Sequence, residues 1–192
     1  MLPIPRAPLP EAPKESKWWL KVHRAQTGKW WQLIAMADEL YQCWLHWDPD
    51  IGRGVPCYGE GVCQFCGPHS VRVWQAYLPV CDVHCRTFCI AEITRGCAQS
   101  MARAGLLSQS LYGVQLTLTR KEKKNSKNGA VMLLDHKPSM VNKLPPKIDP
   151  LPSLVRLWTW NEEHYGKVKA KMDALRGKGQ EEIDRLKWEY GQ

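Results

Sequence analysis

Two histidines and three cysteines crowd into HWDPDIGRGVPCYGEGVCQFCGPHS, residues 46–70. Cys63 and Cys66 form a Cys-x2-Cys knuckle, Cys57 stands just upstream, and His46 precedes them all. A Cys-x2-Cys turn can place two thiolates on one ion, and three thiolates with an imidazole are donors that tetrahedral zinc accepts. His69 is an alternative fourth donor. Glycines at 52, 54, 59, 61 and 67 are expected to let the loop wrap tightly. The expected role is structural, because a catalytic zinc keeps a water position open beside a carboxylate base, and Glu60 is the single carboxylate between Cys57 and Cys66. A thioredoxin-like redox pair would sit between a strand and a helix, whereas this knuckle lies in a loop that leads into a strand.

CDVHCRTFC, residues 81–89, offers a second group of thiols. Cys81 and Cys89 would lie about 27 Å apart on an extended strand, too far for one ion, so Cys81, Cys85 and Cys89 are expected to pack as small apolar residues. Cys43 and Cys97 are expected in the core.

Ten tryptophans in 192 residues exceed what a core of this size requires. Trp47, Trp158 and Trp188 fall on apolar faces and read as structural. The Lys-Trp-Trp unit occurs at 17–19 and again at 29–31, and neighbours on a strand face opposite sides, so only one indole of each pair can be core. Indoles interleaved with cations are what sequence-tolerant binding of a single strand uses, since bases stack and phosphates find positive charge. Trp18, Trp30, Trp44 and Trp74 are the expected stacking residues. The expected phosphate contacts are Lys17, Lys29 and Arg72, with Arg120, Lys121, Lys123, Lys124 and Lys127 on a basic hairpin; Lys21 and Arg86 are further basic candidates. The alternative use of exposed tryptophan is docking to another protein. No Walker-type loop, nucleophile elbow or paired-carboxylate motif is present, and no enzymatic activity is expected.

The elements that must position these residues follow from periodicity. KWWQLIAM leads into a β-like run, and Tyr41, Cys43, Leu45 and Trp47 alternate with Gln42, Trp44 and His46 in the period-2 pattern of a strand. Residues 71–80 and 83–93 read as two further strands. Residues 94–105 read as a short helix with Thr94 as N-cap and Gly105 as its stop. Residues 113–120 and 130–135 read as a hairpin across KEKKNSKNG. The order of strands, one helix and a closing hairpin matches an OB-like barrel, a fold that binds oligonucleotides on an open strand face.

The donor order histidine, cysteine, Cys-x2-Cys on such a chain resembles the T-even phage type of single-stranded-DNA-binding protein, in which an OB fold carries a zinc subdomain. The resemblance spans roughly residues 40–135, with shorter spacings between the donors here. It implies a mainly β, OB-like barrel with an inserted zinc knuckle, a bound Zn2+ held by His46 rather than His69 together with Cys57, Cys63 and Cys66, and single-stranded DNA, or RNA, as partner. The acidic tail of that family is missing: residues 161–192 carry seven acids and seven bases.

Around this core, residues 1–16 read as a proline-rich arm and 17–137 as the zinc-containing domain. Residues 138–152, with five prolines, read as a linker. Residues 153–192 read as a C-terminal helical hairpin capped by Ser153, whose stripe through Leu154, Trp158 and Tyr190 is expected to bind a protein partner or a second copy. The chain carries a formal net charge of +8, which favours an anionic partner. Five prolines within the first 13 residues do not form a signal peptide, and no run of about 20 apolar residues is present, so neither a membrane span nor a membrane partner is expected. Reduced cysteines and a cytoplasmic location are the corresponding expectation.

Overall fold

The computed structural model describes residues 19–48, 53–57, 63, 65–67, 71–123, 126–141, 143–158, 167 and 170. The fold is mainly β. In chain order its strands are β1 (Val22–His23), β2 (Trp31–Ala35), β3 (Tyr41–Asp48), β4 (Arg53–Pro56), β5 (Val73–Asp82) and β6 (Phe88–Thr94). Helix α1 (Arg95–Arg103) follows, then β7 (Val114–Lys123), β8 (Ser126–Pro138) and α2 (Leu151–Leu157). The strands form one mixed sheet in the order β1-β6-β5-β2-β7-β8, with β3 paired to β5 and to β4.

β5 organises the sheet. Residues Trp74–Cys81 are continuously buried, as expected for a strand covered on both faces. One edge pairs with β6 along most of its length, while the other is shared: Val73–Tyr77 pair with β3 and Val80–Asp82 with β2. On one face Trp74, Ala76, Leu78 and Val80 join Leu33 and Ile93 in the main core. Helix α1 closes that core with Cys97, Ala98, Met101 and Ala102, spaced as one helical stripe. Thr94 caps the helix by accepting a hydrogen bond from Cys97 N, and Gly105, at φ +71°, ends it as the sequence leads one to expect.

The opposite face is covered by the chain beyond β8. Val141, Leu144 and Ile148 pack against Ile34, Met36 and Cys81, and Ile148 N donates to Met36 O at 2.8 Å. Leu151, Leu154, Val155 and Trp158 pack against Cys43, Tyr77 and Ile90. The segment read from its prolines as a linker therefore lies against the sheet among the described residues. Its prolines prevent regular structure without preventing apolar burial. Helix α2 begins at Leu151 and not at Ser153, with Pro150 in the N-cap position. Ser153 Oγ instead accepts a hydrogen bond from Leu20 N at 3.0 Å, which ties α2 to the entry of β1. The remainder of the expected helical hairpin lies outside the described residues, apart from Lys167 and Ala170, and the arm 1–16 lies outside them entirely.

The segment between β1 and β2 touches both flanks of the central strands. Val22 and His23 pair in parallel with Ile90 and Ala91 of β6, and Thr27 forms a parallel bridge to Arg120 of β7. Gly28, at φ +71°, turns the chain there and donates its N–H to Arg120 O at 3.1 Å. Among the described residues no helix is long and apolar enough to cross a membrane.

Candidate functional site

Three pieces of backbone carry the four donors. β3 and β4 form a hairpin in which His46 pairs with Val55, and Gly54 lies so close to β3 that an added Cβ would meet Leu45 Cδ1 at 3.1 Å. Of the glycines expected to shape the loop, Gly54 makes this close approach, Gly67 has open space around it, and those at 52, 59 and 61 lie outside the described residues. Cys57 follows β4 and donates its N–H to Trp44 O at 2.7 Å, which anchors the first thiol beside β3. The knuckle closes as Cys66 N donates to Cys63 O at 3.1 Å.

His46, Cys57, Cys63 and Cys66 lie close enough together to hold one metal ion, their donor atoms all within 4.8 Å of one another. Cys57 Sγ and Cys66 Sγ are 3.5 Å apart, and Cys66 Sγ is 3.4 Å from His46 Nε2. Tetrahedral zinc, with bonds of about 2.3 Å to sulfur and about 2.0–2.1 Å to nitrogen, needs edges of about 3.8 and 3.6 Å, so the donors stand near those positions. Burial first, then the neighbouring Cys57 and Cys63, pushes the Cys66 thiol up to about 12. Without a cation the cluster resists carrying several thiolates; a divalent ion supplies the charge that lets them coexist. His46 is 3% exposed, with Phe65 of the knuckle stacked at a tilt over it. Donor set, spacing and enclosure fit a structural zinc. His69 lies outside the described residues.

Among the described residues this is the one group of three or more such donors within reach of one ion. Cys81 and Cys89 are buried strand residues, whereas Cys85 is exposed and not on a strand. The expected strand 83–93 starts only at Phe88 because Asp82 Oδ1 accepts hydrogen bonds from His84 N and Cys85 N, both at 2.8 Å, and so makes a turn. Cys43 and Cys97 are buried, as expected.

The aromatic candidates divide. Trp30 is 78% exposed while its neighbour Trp31 is half-buried, the division expected of adjacent indoles. Trp44 is exposed, with the Arg72 guanidinium 5.6 Å from its ring centroid. Trp74, expected as a stacking residue, is 4% exposed and donates its indole N–H to Gln42 Oε1 at 3.1 Å. Its ring belongs to the core because β5 is covered on both faces, so it offers no plane to a base. Trp47, expected in the core, is 66% exposed. It shares a strand face with Cys43 and Leu45, but those two are covered by the α2 cluster, which does not include Trp47. Trp158 is buried, as expected.

Of the cationic candidates, Lys29, Arg72 and Lys121 are exposed and Arg120 is partly buried. Lys123 lies on β7, and Lys127 falls within β8. Lys17, Trp18 and Lys124 lie outside the described residues. Trp44 and Trp30 do not form one platform: Trp44 pairs with Trp74 near the start of β5, whereas Trp31, next to Trp30, bonds to Asp82 at its end. Those positions on β5 are separated by about 27 Å at about 3.4 Å per residue. Trp19, Arg24 and Phe88, none of them among the expected stacking or phosphate-binding residues, join the surface near Trp30. The doubled Lys-Trp-Trp unit signals the first of them and nothing local signals the other two.

No protein-family model matches this chain, and searches of curated proteins and of solved structures return no match.

Proposed function

We propose that this protein is a zinc-stabilised, non-enzymatic binder of single-stranded nucleic acid, with DNA favoured. The observation that carries the reading is the exposure of Trp19, Trp30, Trp44 and Trp47 on a chain with a formal net charge of +8. An indole plane beside a cation accepts any base by stacking and any phosphate by charge, whereas duplex bases keep their faces occupied. The OB-like barrel reading is supported by the helix between β6 and β7, by the closing β7–β8 hairpin and by the β1–β2 segment that touches both β6 and β7. The zinc on His46, Cys57, Cys63 and Cys66 braces β3, β4 and the knuckle and performs no chemical step. Covering and protecting a strand in replication, recombination, transfer of a mobile element or an RNA-guided complex is the class of task such a protein serves.

The test is a titration of the full chain with oligo-dT and oligo-U, followed by tryptophan fluorescence at two salt concentrations. Quenching that weakens as salt rises is the expected result. No response in either titration would favour the second reading, a zinc-braced accessory subunit that docks a larger enzyme, for which exposed Trp47, Val71 and Val73 at the metal-bearing end of β3 and β5 are the favouring observation.

A further inference from the structure

The end of β5 away from the metal donors opens on a groove of about 960 Å³. One wall is the segment that enters β1 and runs into β2, bearing Trp19, Lys21, Lys29 and Trp30. The other is the β5–β6 turn, bearing His84, Cys85, Arg86 and Phe88. Among the described residues, four basic side chains, Lys21, Arg24, Lys29 and Arg86, line it against one carboxylate, Asp82. That carboxylate is engaged by its surroundings: Oδ2 accepts from Trp31 Nε1 at 2.6 Å while Oδ1 receives the two turn amides. Arg24 is paired with Glu92. The groove therefore presents indoles and positive charge with its one acid already bonded.

Its walls are held rather than floppy. Lys29 O accepts from Thr119 Oγ1 at 2.9 Å, and Gly28 is bonded to Arg120, which fixes Lys29 and Trp30 against β7. The turn is closed by Asp82 N donating to Thr87 O and Arg86 N donating to Asp82 O, both at 2.9 Å. Arg86 has φ 55°, the single non-glycine residue in the left-handed region among the described residues. Glycine would take that backbone freely; a strained residue at the rim of a groove points to the use of its side chain.

Resting on the proposed function, we infer that this groove, and not the Trp44–Arg72 face, is the primary seat for single-stranded nucleic acid, with bases stacked on Trp30 and Trp19 and phosphates drawn to Lys21, Lys29 and Arg86. Charge complementarity selects a polyanion, and the exposed indoles select one whose bases are unpaired. The Arg156 guanidinium lies 6.0 Å from the Trp19 ring centroid, so α2 contributes a cation behind one of the two stacking indoles.

Cys85 makes the groove testable without altering the protein. It is exposed within the groove, whereas burial pushes the Cys81 thiol up to about 11 and those of Cys89 and Cys97 up to about 12, which suppresses their reactive thiolate. The zinc-loaded full chain is treated with iodoacetamide with and without oligo-dT, and modification at Cys85 is followed by peptide mass spectrometry. Oligo-dT should slow it several-fold, added salt should restore it, and a DNA hairpin of equal length should protect less. Trp30→Ala should weaken binding about 5- to 150-fold. Arg86→Gly, which suits the turn, should reduce the salt slope by about one phosphate while the protein stays folded. If oligo-dT quenches the parent's fluorescence yet leaves Cys85 unprotected, and Trp30→Ala binds as the parent does, the groove is wrong while the proposed function stands. A parent that does not bind oligo-dT overturns both.

Discussion

His46 shows how much of the metal site depends on a single placement. By alternation Trp44, His46 and Asp48 share one face of β3, yet Trp44 is exposed while His46 and Asp48 are buried. The donor cluster at Cys57, Cys63 and Cys66 stands against His46, so the imidazole is enclosed by the residues it would bind with. Cys63→Ser or Cys66→Ser should therefore lose the ion and cost about 3 kcal/mol, a fall in Tm of about 6–12 °C for a chain of this length. Elemental analysis of natively purified protein should find one equivalent of zinc; finding none would overturn the assignment. The two paired tryptophans of β3 and β5 should behave in opposite ways. Trp74→Ala empties part of the main core and should cost about 3–5 kcal/mol in urea unfolding, while Trp44→Ala, at the surface, should stay within about 0.5 kcal/mol. The three thiols were legible from spacing, since Cys-x2-Cys chemistry is local, whereas spacing left His46 and His69 both open and the resemblance favoured His46. The burial of Trp74 was not, because it depends on α1 and the strands beyond it.

At the scale of elements, β2, β3, β5, β7, β8 and α1 could be read from alternation and capping, and their positions agree with that reading to within a few residues, whereas the short strands β1 and β4 carry no such pattern. The turn at 83–87 escaped because its cause is one side chain, Asp82, whose bonds outweigh the strand propensity of Val83, Thr87 and their neighbours. The segment after β8 escaped for a different reason: proline content describes what a backbone cannot do and says nothing about where Val141, Leu144 and Ile148 are buried. Helix α2 should be integral. Leu154→Ala should cost about 2–5 kcal/mol. A chain ended after Trp158 should stay soluble, whereas one ended before Leu151 should aggregate through the uncovered face around Tyr77 and Ile90. The strap between β8 and α2 also carries a pH-dependent tie. Lys147 Nζ lies 2.7 Å from Asp38 Oδ2 and Ser110 Oγ donates to Oδ1 at 2.6 Å; Lys147 first, then Ser110, holds the Asp38 carboxyl below the ordinary carboxylate range. A depressed folded value means that the tie stabilises above the unfolded pKa and is lost as pH falls through the folded one. Asp38→Asn should thus melt below the parent at neutral pH, with the gap closing under acid below about pH 4. An unchanged gap across that range would show the tie to be inert.

Across the whole molecule, charge and architecture divide the labour. Acids and bases balance in residues 161–192, so the positive surplus lies before Asn161, in the part that contains the sheet, the metal donors and the groove. The metal donors stand near one end of β5 and the groove at the other. Between them is Pro79, whose carbonyl accepts from Met36 N at 2.8 Å on the edge that β3 and β2 share. In an antiparallel strand a residue's N–H points the same way as its C=O, so the missing N–H falls at the place where β5 changes neighbours, between its pairing with β3 through Tyr77 and with β2 from Val80. The ladder along that edge is broken there without leaving an unbonded donor. Hydrogen exchange should expose the result as two units that open separately: stripping the ion with a chelator should speed exchange of the β3 and β4 amides and leave those of β2 and β7 protected. Pro79 in this sense acts as an insulator, so that an oxidised or metal-depleted knuckle can come apart while the half of the sheet that carries the groove keeps its shape.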